Sequence, residues 1–196
     1  MAKTDPASAK KERNKHVKWV VTIFFATMFI SGSISLLSDV LMENSTMAVA
    51  FLILLVIILV GIIFDIIGMA VATADEKPFH SMAARKVPGS QESIKLLRNA
   101  ERVSSICNDV VGDICGVVSG SASATIAAQI LRNFEFTWPQ IISLLMSALA
   151  AGLTVGGKAI GKSFAVNSCT EIVHGVGRVI HALNNFPKGF RNKKKK

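Results

Sequence analysis

The sequence feature that most constrains the fold is a series of apolar blocks, each long enough to cross a lipid bilayer. A helix rises about 1.5 Å per residue, so about 20 residues span a hydrocarbon core of about 30 Å. The blocks hold much of the apolar content, which is 51% of the 196 residues. The sequence therefore predicts an all-α integral membrane protein with four transmembrane helices, at residues 17–37, 47–72, 102–131 and 140–157.

The distribution of positive charge predicts the topology of these helices. The net charge is +9, and Lys and Arg cluster at both termini and in the connection 73–101. A basic chain raises the question of nucleic-acid binding, but the positive-inside rule explains this distribution better. We therefore expect a multi-pass protein of the cell membrane, with both termini and this connection in the cytoplasm and no nucleic-acid partner. The loops 38–45 and 132–139 would then lie outside.

Basic and apolar side chains alternate in the segments next to the predicted membrane helices. Residues 79–86, 92–98 and 158–181 have this pattern, which is typical of juxtamembrane amphipathic helices at the membrane surface. Residues 1–16 are polar and basic and predict a disordered cytosolic tail. Residues 184–196 predict a second basic tail.

The third apolar block carries polar and small residues along one helix face. Asp109, Asp113, Gly116 and Gly120 recur at i, i+4, i+7 and i+11 and therefore share that face. Small residues are common where membrane helices pack, which explains the glycines. Packing does not explain two aspartates, because a charge at the bilayer centre costs about 3 kcal/mol or more. The face predicts a close helix neighbour and a bound cation.

A further carboxylate, Asp65, interrupts the second apolar block at a similar depth. Asp65 lies about 10 Å from the inner end of its helix, whereas Asp109 lies about 9 Å and Asp113 about 15 Å from the inner end of theirs. If the two helices pack through their glycine faces, Asp65 and Asp109 meet. Two carboxylates in a low dielectric cannot both stay charged without compensation, which a divalent cation would supply.

The side chains at this depth offer oxygen ligands, which favour hard cations such as Mg2+, Ca2+ or Mn2+ over zinc or copper. The predicted metal ligands are Asp65, Asn108, Asp109, Asp113 and Ser119. Two alternatives stay open at this point. The carboxylates pair with Lys158 or Lys162 at the inner end of the fourth helix, or they relay protons.

Other kinds of site find little support in the sequence. The three cysteines are odd in number and form no CxxC pair, which predicts reduced thiols and neither a disulfide framework nor a zinc site. The catalytic patterns GxSxG and HExxH are absent from the sequence. We therefore do not expect an enzyme.

Three segments together resemble a known membrane domain. They are FDIIGMAVATADEKPFHSMAARK at 64–86, ICNDVVGDI at 106–114 and GGKAIGKSFAVNSCTEIVHGVGRVI at 156–180. Their order and character are similar to the membrane domain of the CNNM and CorB/CorC magnesium transport proteins. The resemblance implies a three-helix core with juxtamembrane helices, here at 46–183, preceded by an extra N-terminal helix at 17–37. It also implies a homodimer that holds a dehydrated Mg2+ among serine, asparagine and backbone oxygens.

The resemblance assigns family positions to some residues of this chain. Asn108 matches the asparagine of the family's third-helix motif, and Asp65 stands at a serine position. Lys158 replaces a glutamate, and Gly161 replaces a proline. The sequence lacks the CBS pair of that family, so regulation by ATP through CBS modules is not expected.

The sequence therefore predicts a divalent-cation transporter that works as a homodimer in the lipid bilayer. Mg2+ is the first candidate substrate, and Mn2+, Ca2+ and Co2+ are further candidates. Na+ or H+ stays open as a coupling ion. The alternative is a non-transporting membrane scaffold or accessory subunit whose carboxylates form structural ion pairs.

Overall fold

The computed structural model of the protein describes residues 6–43, 45–133 and 138–192, and the side chains of residues 17–42, 45–133 and 138–184. Parts of the predicted tails and outer loops, residues 1–5, 44, 134–137 and 193–196, lie outside the described residues. The regular secondary structure of the described part consists of helices, joined by short turns. Its elements are α1 (Pro6–Glu43), α2 (Met47–Thr73), α3 (Lys77–Ala84), α4 (Ser90–Arg98), α5 (Ala100–Ser105), a π-helical segment (Ile106–Gly112), α6 (Asp113–Asn133), α7 (Pro139–Asn167) and α8 (Cys169–Asn192).

In the described part of the chain, four stretches are long and apolar enough to cross a membrane, which confirms the predicted all-α, multi-pass membrane architecture. They are Val17–Met42, Met47–Thr73, Ala100–Asn133 and Pro139–Asn167. The third stretch runs through α5, the π-helical segment and α6. Because successive spans cross in opposite directions, the start of α1 shares one end of the bundle with α3, α4 and α8. We call this end the basic end, and the end near Ser45 and Trp138 the far end.

The fourth membrane helix is longer than its predicted range. α7 continues past Gly157 to Asn167, whereas the sequence pattern placed the helix end where basic residues begin. The helix continues because Lys158 finds an acidic partner, Asp65, inside the bundle. The predicted amphipathic segment 158–181 is therefore divided between the end of α7 and the following helix α8.

The first helix is also longer than predicted, at both of its ends. α1 begins at Pro6, so residues 6–16 are helical rather than disordered. It continues to Glu43 and takes in most of the predicted loop 38–45. The extension contains Asp39, which accepts hydrogen bonds from hydroxyl groups of α6. A polar side chain with such partners does not have to mark the end of a membrane helix.

Two apolar clusters fill the interior, one toward each end of the bundle. The far cluster joins Met42, Ala50, Leu54, Ile58, Ala122, Ile126, Ala127 and Met146. The basic-end cluster joins Ala70, Val71, Phe79, Leu97, Ala165 and Val173. Along α2, the first cluster ends at Ile58 and the second begins at Ala70, and buried Asp65 lies between them. Partly buried Ile62 extends the first cluster and Ile66 extends the second, so the carboxylate of Asp65 lies at the boundary between them on α2.

The basic end is closed by a tight crossing between α4 and α8. Gly89 has a φ of 87°, which favours glycine, and a Cβ there would lie 2.7 Å from the Cα of Arg178. Ser93 donates a hydrogen bond to the carbonyl of Val173 at 3.1 Å. The predicted helices at 79–86 and 92–98 thus form, as α3 and α4, and α4 packs on α8.

An ion pair outside the membrane spans also joins α4 to α8. Glu92 Oε1 lies 3.2 Å from His181 Nδ1. Burial raises the pKa of Glu92, but the hydrogen bond from His181, a backbone hydrogen bond and the charges of His181 and Lys95 together outweigh it. The pKa of Glu92 therefore lies below its ordinary value.

Candidate cation site between α2, the π-helical segment and α7

The candidate site is centred on Asp65, which is 3% exposed in the interior of the bundle. Its Oδ2 atom lies 3.2 Å from the Nζ atom of Lys158 on α7. The same ammonium donates a hydrogen bond to the backbone carbonyl of Gly112, at 3.3 Å. Three elements of the bundle, α2, the π-helical segment and α7, therefore meet around one charged pair.

Glycines let α2, the third span and α7 approach closely. A Cβ at Gly61 would lie 2.8 Å from the Cβ of Cys115, and one at Gly161 would lie 2.8 Å from Cγ1 of Ile66. At Gly112 a Cβ would collide with Asp65 Oδ1 and lie 3.2 Å from Lys158 Nζ. Small residues at helix contacts are a common packing device in membranes, and here they leave room for a charged pair.

Two buried oxygens at this interface have no hydrogen-bond partner among the described residues. They are Asp65 Oδ1 and Asn108 Oδ1. The amide nitrogen of Asn108 donates to Ser104 Oγ at 3.2 Å, and its oxygen lies where a Cβ of Gly68 would be. Asp65 faces Gly112 and Gly68 faces Asn108, so the two oxygens lie about one helical turn apart along α2. An unsatisfied buried acceptor costs about 1–3 kcal/mol, so each of these oxygens requires an explanation.

The π-helical segment determines which residues of the third span face α2. A π-helix has i→i+5 hydrogen bonds and inserts an extra residue into the turn, and such turns are frequent at functional sites. Here Asn108 and Gly112 face α2. Asp109 and Asp113, on the neighbouring stripe, are exposed on the surface of the single chain.

The predicted ligands therefore separate into two groups. Asp65 and Asn108 lie at the shared interface. Asp109 accepts a hydrogen bond from Ser105 at 2.8 Å, Asp113 is exposed, and buried Ser119 donates to the Gly116 carbonyl of its own helix at 2.9 Å. Within the described residues, no three His, Cys, Asp or Glu side chains come together as a metal cluster. The expected approach of Asp109 to Asp65 is not seen, and the ligand roles stay a prediction.

The sequence predicted Lys158 only as one of two alternative partners for the carboxylates. It did not predict that the Gly112 carbonyl would contact the same ammonium. It also missed a second polar cluster toward the far end. There Asp39 accepts hydrogen bonds from Ser121 at 3.2 Å and from Thr125 at 3.1 Å. These two hydroxyls lie at i and i+4 and therefore share one helix face. This spacing in the sequence could have predicted that they bind a common partner.

The three cysteines are free thiols, and Cys107 is buried. Comparison of the chain with protein-family models, curated proteins and solved structures finds no match in any of the three. The resemblance to the CNNM and CorB/CorC membrane domain therefore stays a prediction that rests on three sequence segments.

Proposed function

We propose that this protein transports a hard cation across a membrane, with Mg2+ as the first candidate, and binds it where α2, the π-helical segment and α7 meet. The observation that supports this best is the pair of unpartnered buried oxygens, Asp65 Oδ1 and Asn108 Oδ1. A purely structural arrangement would satisfy both oxygens, because each one left unsatisfied costs about 1–3 kcal/mol. A cation that binds Asp65 directly and Asn108 through one of its waters would recover this cost.

The donor set favours a hard ion. Carboxylate, amide and backbone carbonyl oxygens come from Asp65, Asn108 and Gly112, and Mg2+ or Ca2+ prefers such ligands. Mg2+ usually keeps several of its waters, so a few protein oxygens suffice. Asp65 is an ionisable residue that lies buried within a membrane span. Ionisable residues in such positions commonly mark ion pathways.

A homodimer is part of the proposal, because one face of the third span is uncovered in the single chain. Asp109 and Asp113 are exposed on it, and a Cβ at Gly116 or Gly120 would meet no described atom within 4 Å. Two carboxylates exposed to lipid would each cost about 3 kcal/mol or more. A second copy packed on this face would remove them from lipid. Cysteine introduced at Gly120 should then cross-link two copies, and cysteine at lipid-facing Leu144 on α7 should not.

Uptake of Mg2+ into proteoliposomes is the direct test of transport. Asp65→Asn and Asn108→Ala should each reduce the initial rate at least tenfold, because each removes an oxygen ligand or its charge. Asp39→Asn is the matched control, since it neutralises a carboxylate that hydroxyl groups already satisfy. Wild-type rates in both site variants would refute the assignment.

Binding can be tested without a transport assay. The melting temperature of the purified protein should rise with Mg2+, and to differing extents with Mn2+, Ca2+ and Co2+, because a ligand that binds only the folded state stabilises it. The dependence of uptake on pH and on Na+ decides whether H+ or Na+ is coupled to transport. A protein that neither binds nor transports any of these ions is not the proposed transporter.

A second candidate function is a non-transporting scaffold or accessory subunit. The observation that favours it is the Asp65–Lys158 ion pair at 3.2 Å, which already neutralises the buried carboxylate. In that case the double variant Asp65→Asn with Lys158→Met should fold and assemble like the wild type. The wild type should then show no metal-dependent stabilisation.

A further inference from the structure

We propose that Lys158 is a tethered cation that occupies Asp65 when no metal is bound and is displaced when a metal ion binds. This inference rests on the proposed function, because it concerns the same site. It adds a residue that was not among the predicted ligands. It also describes how the empty and the loaded site differ.

The contacts of Lys158 coincide with those that a bound cation would make. Its Nζ atom lies 3.2 Å from Asp65 Oδ2 and 3.3 Å from the carbonyl oxygen of Gly112. Both oxygens belong to the donor set of the proposed site. The ammonium therefore competes with a metal ion for two oxygens on two different helices.

The charge of the site supports displacement rather than joint occupancy. Asp65 and Lys158 together have no net charge, so the empty site avoids the larger cost of a single uncompensated buried charge. A divalent ion bound at Asp65 would lie within a few ångströms of the ammonium, where repulsion in a low dielectric is strong. The ammonium must then leave when the ion arrives, and it can return when the ion departs.

The position of Lys158 permits this movement. Its side chain is 20% exposed, whereas that of Asp65 is 4% exposed, so the lysine lies at the edge of the interface. The lysine stem is flexible, and its head can move toward the membrane surface while its stem stays in apolar surroundings. The glycine contact between α7 and α2 at Gly161 does not depend on the lysine head.

Two lysines on α7 provide a matched pair of variants that tests the displacement. Lys158 and Lys162 lie four residues apart, and Lys162 is exposed. Lys158→Met should lower the dissociation constant for Mg2+ at least tenfold in the full-length protein, because the competitor is gone. Lys162→Met should leave it within twofold of the wild type. Lys158→Arg should retain the wild-type affinity more closely than the methionine variant does, because the charge remains.

Lys158→Met leaves Asp65 without its cation, so the variant can fail to fold. A second measurement on the wild type avoids that problem. Amine acylation of Lys158, followed by mass spectrometry, should become several-fold faster in saturating Mg2+, while acylation of Lys162 should not change. Equal acylation of Lys158 with and without Mg2+ would overturn the displacement.

The outcomes separate this inference from the proposed function. If Asp65→Asn abolishes Mg2+ binding while Lys158→Met binds like the wild type, the site stands and the tethered cation is wrong. If the wild type and Lys158→Met both fail to bind Mg2+, Mn2+, Ca2+ or Co2+, the proposed function fails, and the displacement fails with it.

Discussion

Two carboxylates of the bundle have partners of different kinds on other helices, Asp65 toward the interior and Asp39 toward the far end. Asp39 is bound by neutral donors, with Ser121 at 3.2 Å and Thr125 at 3.1 Å. Asp65 has a lysine at 3.2 Å, and its other oxygen has no partner among the described residues. One carboxylate is therefore satisfied by short side chains of a single helix, and the other by a single long, flexible cation.

The comparison separates a structural carboxylate from a candidate site. The Asp39 cluster joins α1 to α6, and it is supported nearby by a hydrogen bond from Gln129 to the Met42 carbonyl at 2.6 Å. These contacts matter because the most apolar part of α1 buries none of its residues in the bundle, against 44% for the third span. Asp39 thus docks the first helix, whereas the bonds of Asp65 leave an oxygen open and depend on a movable partner.

The largest expected effect comes from removing the cation beside Asp65. Lys158→Met should destabilise the protein in detergent by about 3–5 kcal/mol, because it leaves an uncompensated buried charge. Adding Asp65→Asn should restore most of the loss, since no charge then remains. Thermal unfolding measures both effects, with Lys162→Met as the control. A loss below about 1 kcal/mol would mean that water already solvates Asp65.

A smaller effect is expected from filling the space beside Asn108. A Cβ at Gly68 would collide with Asn108 Oδ1 and lie 3.0 Å from the Cβ of Cys107. Gly68→Ala should therefore cost about 1–3 kcal/mol and weaken Mg2+ binding several-fold, because the amide must turn away.

The matched control for this variant is Gly152→Ala on α7. A Cβ at Gly152 would meet no described atom within 4 Å. That substitution should change the unfolding free energy by less than about 0.5 kcal/mol and leave Mg2+ binding unchanged. If Gly68→Ala binds Mg2+ like the wild type, Asn108 is not a ligand.

A third test concerns the docking role of Asp39. Thr125→Val removes one hydroxyl donor and should cost about 1 kcal/mol, with faster amide exchange in α1 and unchanged Mg2+ binding. Thr154→Val is the control, because the Thr154 hydroxyl donates to the Ala150 carbonyl of its own helix. Weaker Mg2+ binding in Thr125→Val would remove the distinction between the two carboxylates.

The sequence predicted the architecture well, because long apolar blocks leave a chain few alternatives in a bilayer. It misplaced helix ends where a charged residue was taken to mark a boundary. Asp39 and Lys158 both lie inside helices, because each finds a partner across the bundle. Such partners are on other helices, so the local pattern does not reveal them.

The candidate site was predicted only in part, and the reason is again physical. Depth along the helices paired Asp65 with Asp109, whereas the structure brings Asp65 and Asn108, two of the predicted ligands, to a shared interface. Counting at 3.6 residues per turn also directed Asp109 toward that interface. The π-helical segment, Ile106–Gly112, changes the register within that turn, and Asp109 is exposed instead. A local change of helix type of this kind has no simple signal in composition or spacing.

The smallest expected effect concerns a third carboxylate, Glu92, outside the membrane spans. Its partner is His181 at 3.2 Å, and the pKa of Glu92 lies below its ordinary value of 4.5. A carboxylate with a lowered pKa stabilises the folded state above its unfolded pKa and loses that contribution as the pH falls through the folded value. The stability difference between wild type and Glu92→Gln should therefore shrink as the pH falls below 4.5.

The expected effect of Glu92→Gln on stability is small, in contrast to the effect expected at buried Asp65. A pair near water is worth about 0–1 kcal/mol, because solvent already stabilises both partners. Urea unfolding of the wild type and Glu92→Gln at several pH values measures it, with Glu101→Gln, an exposed residue of α5, as the control. If Glu92→Gln costs as much as Lys158→Met, burial in the membrane interior is not what distinguishes Asp65. A cost near zero above pH 5 would instead show that the Glu92–His181 contact adds little to the packing of α4 on α8.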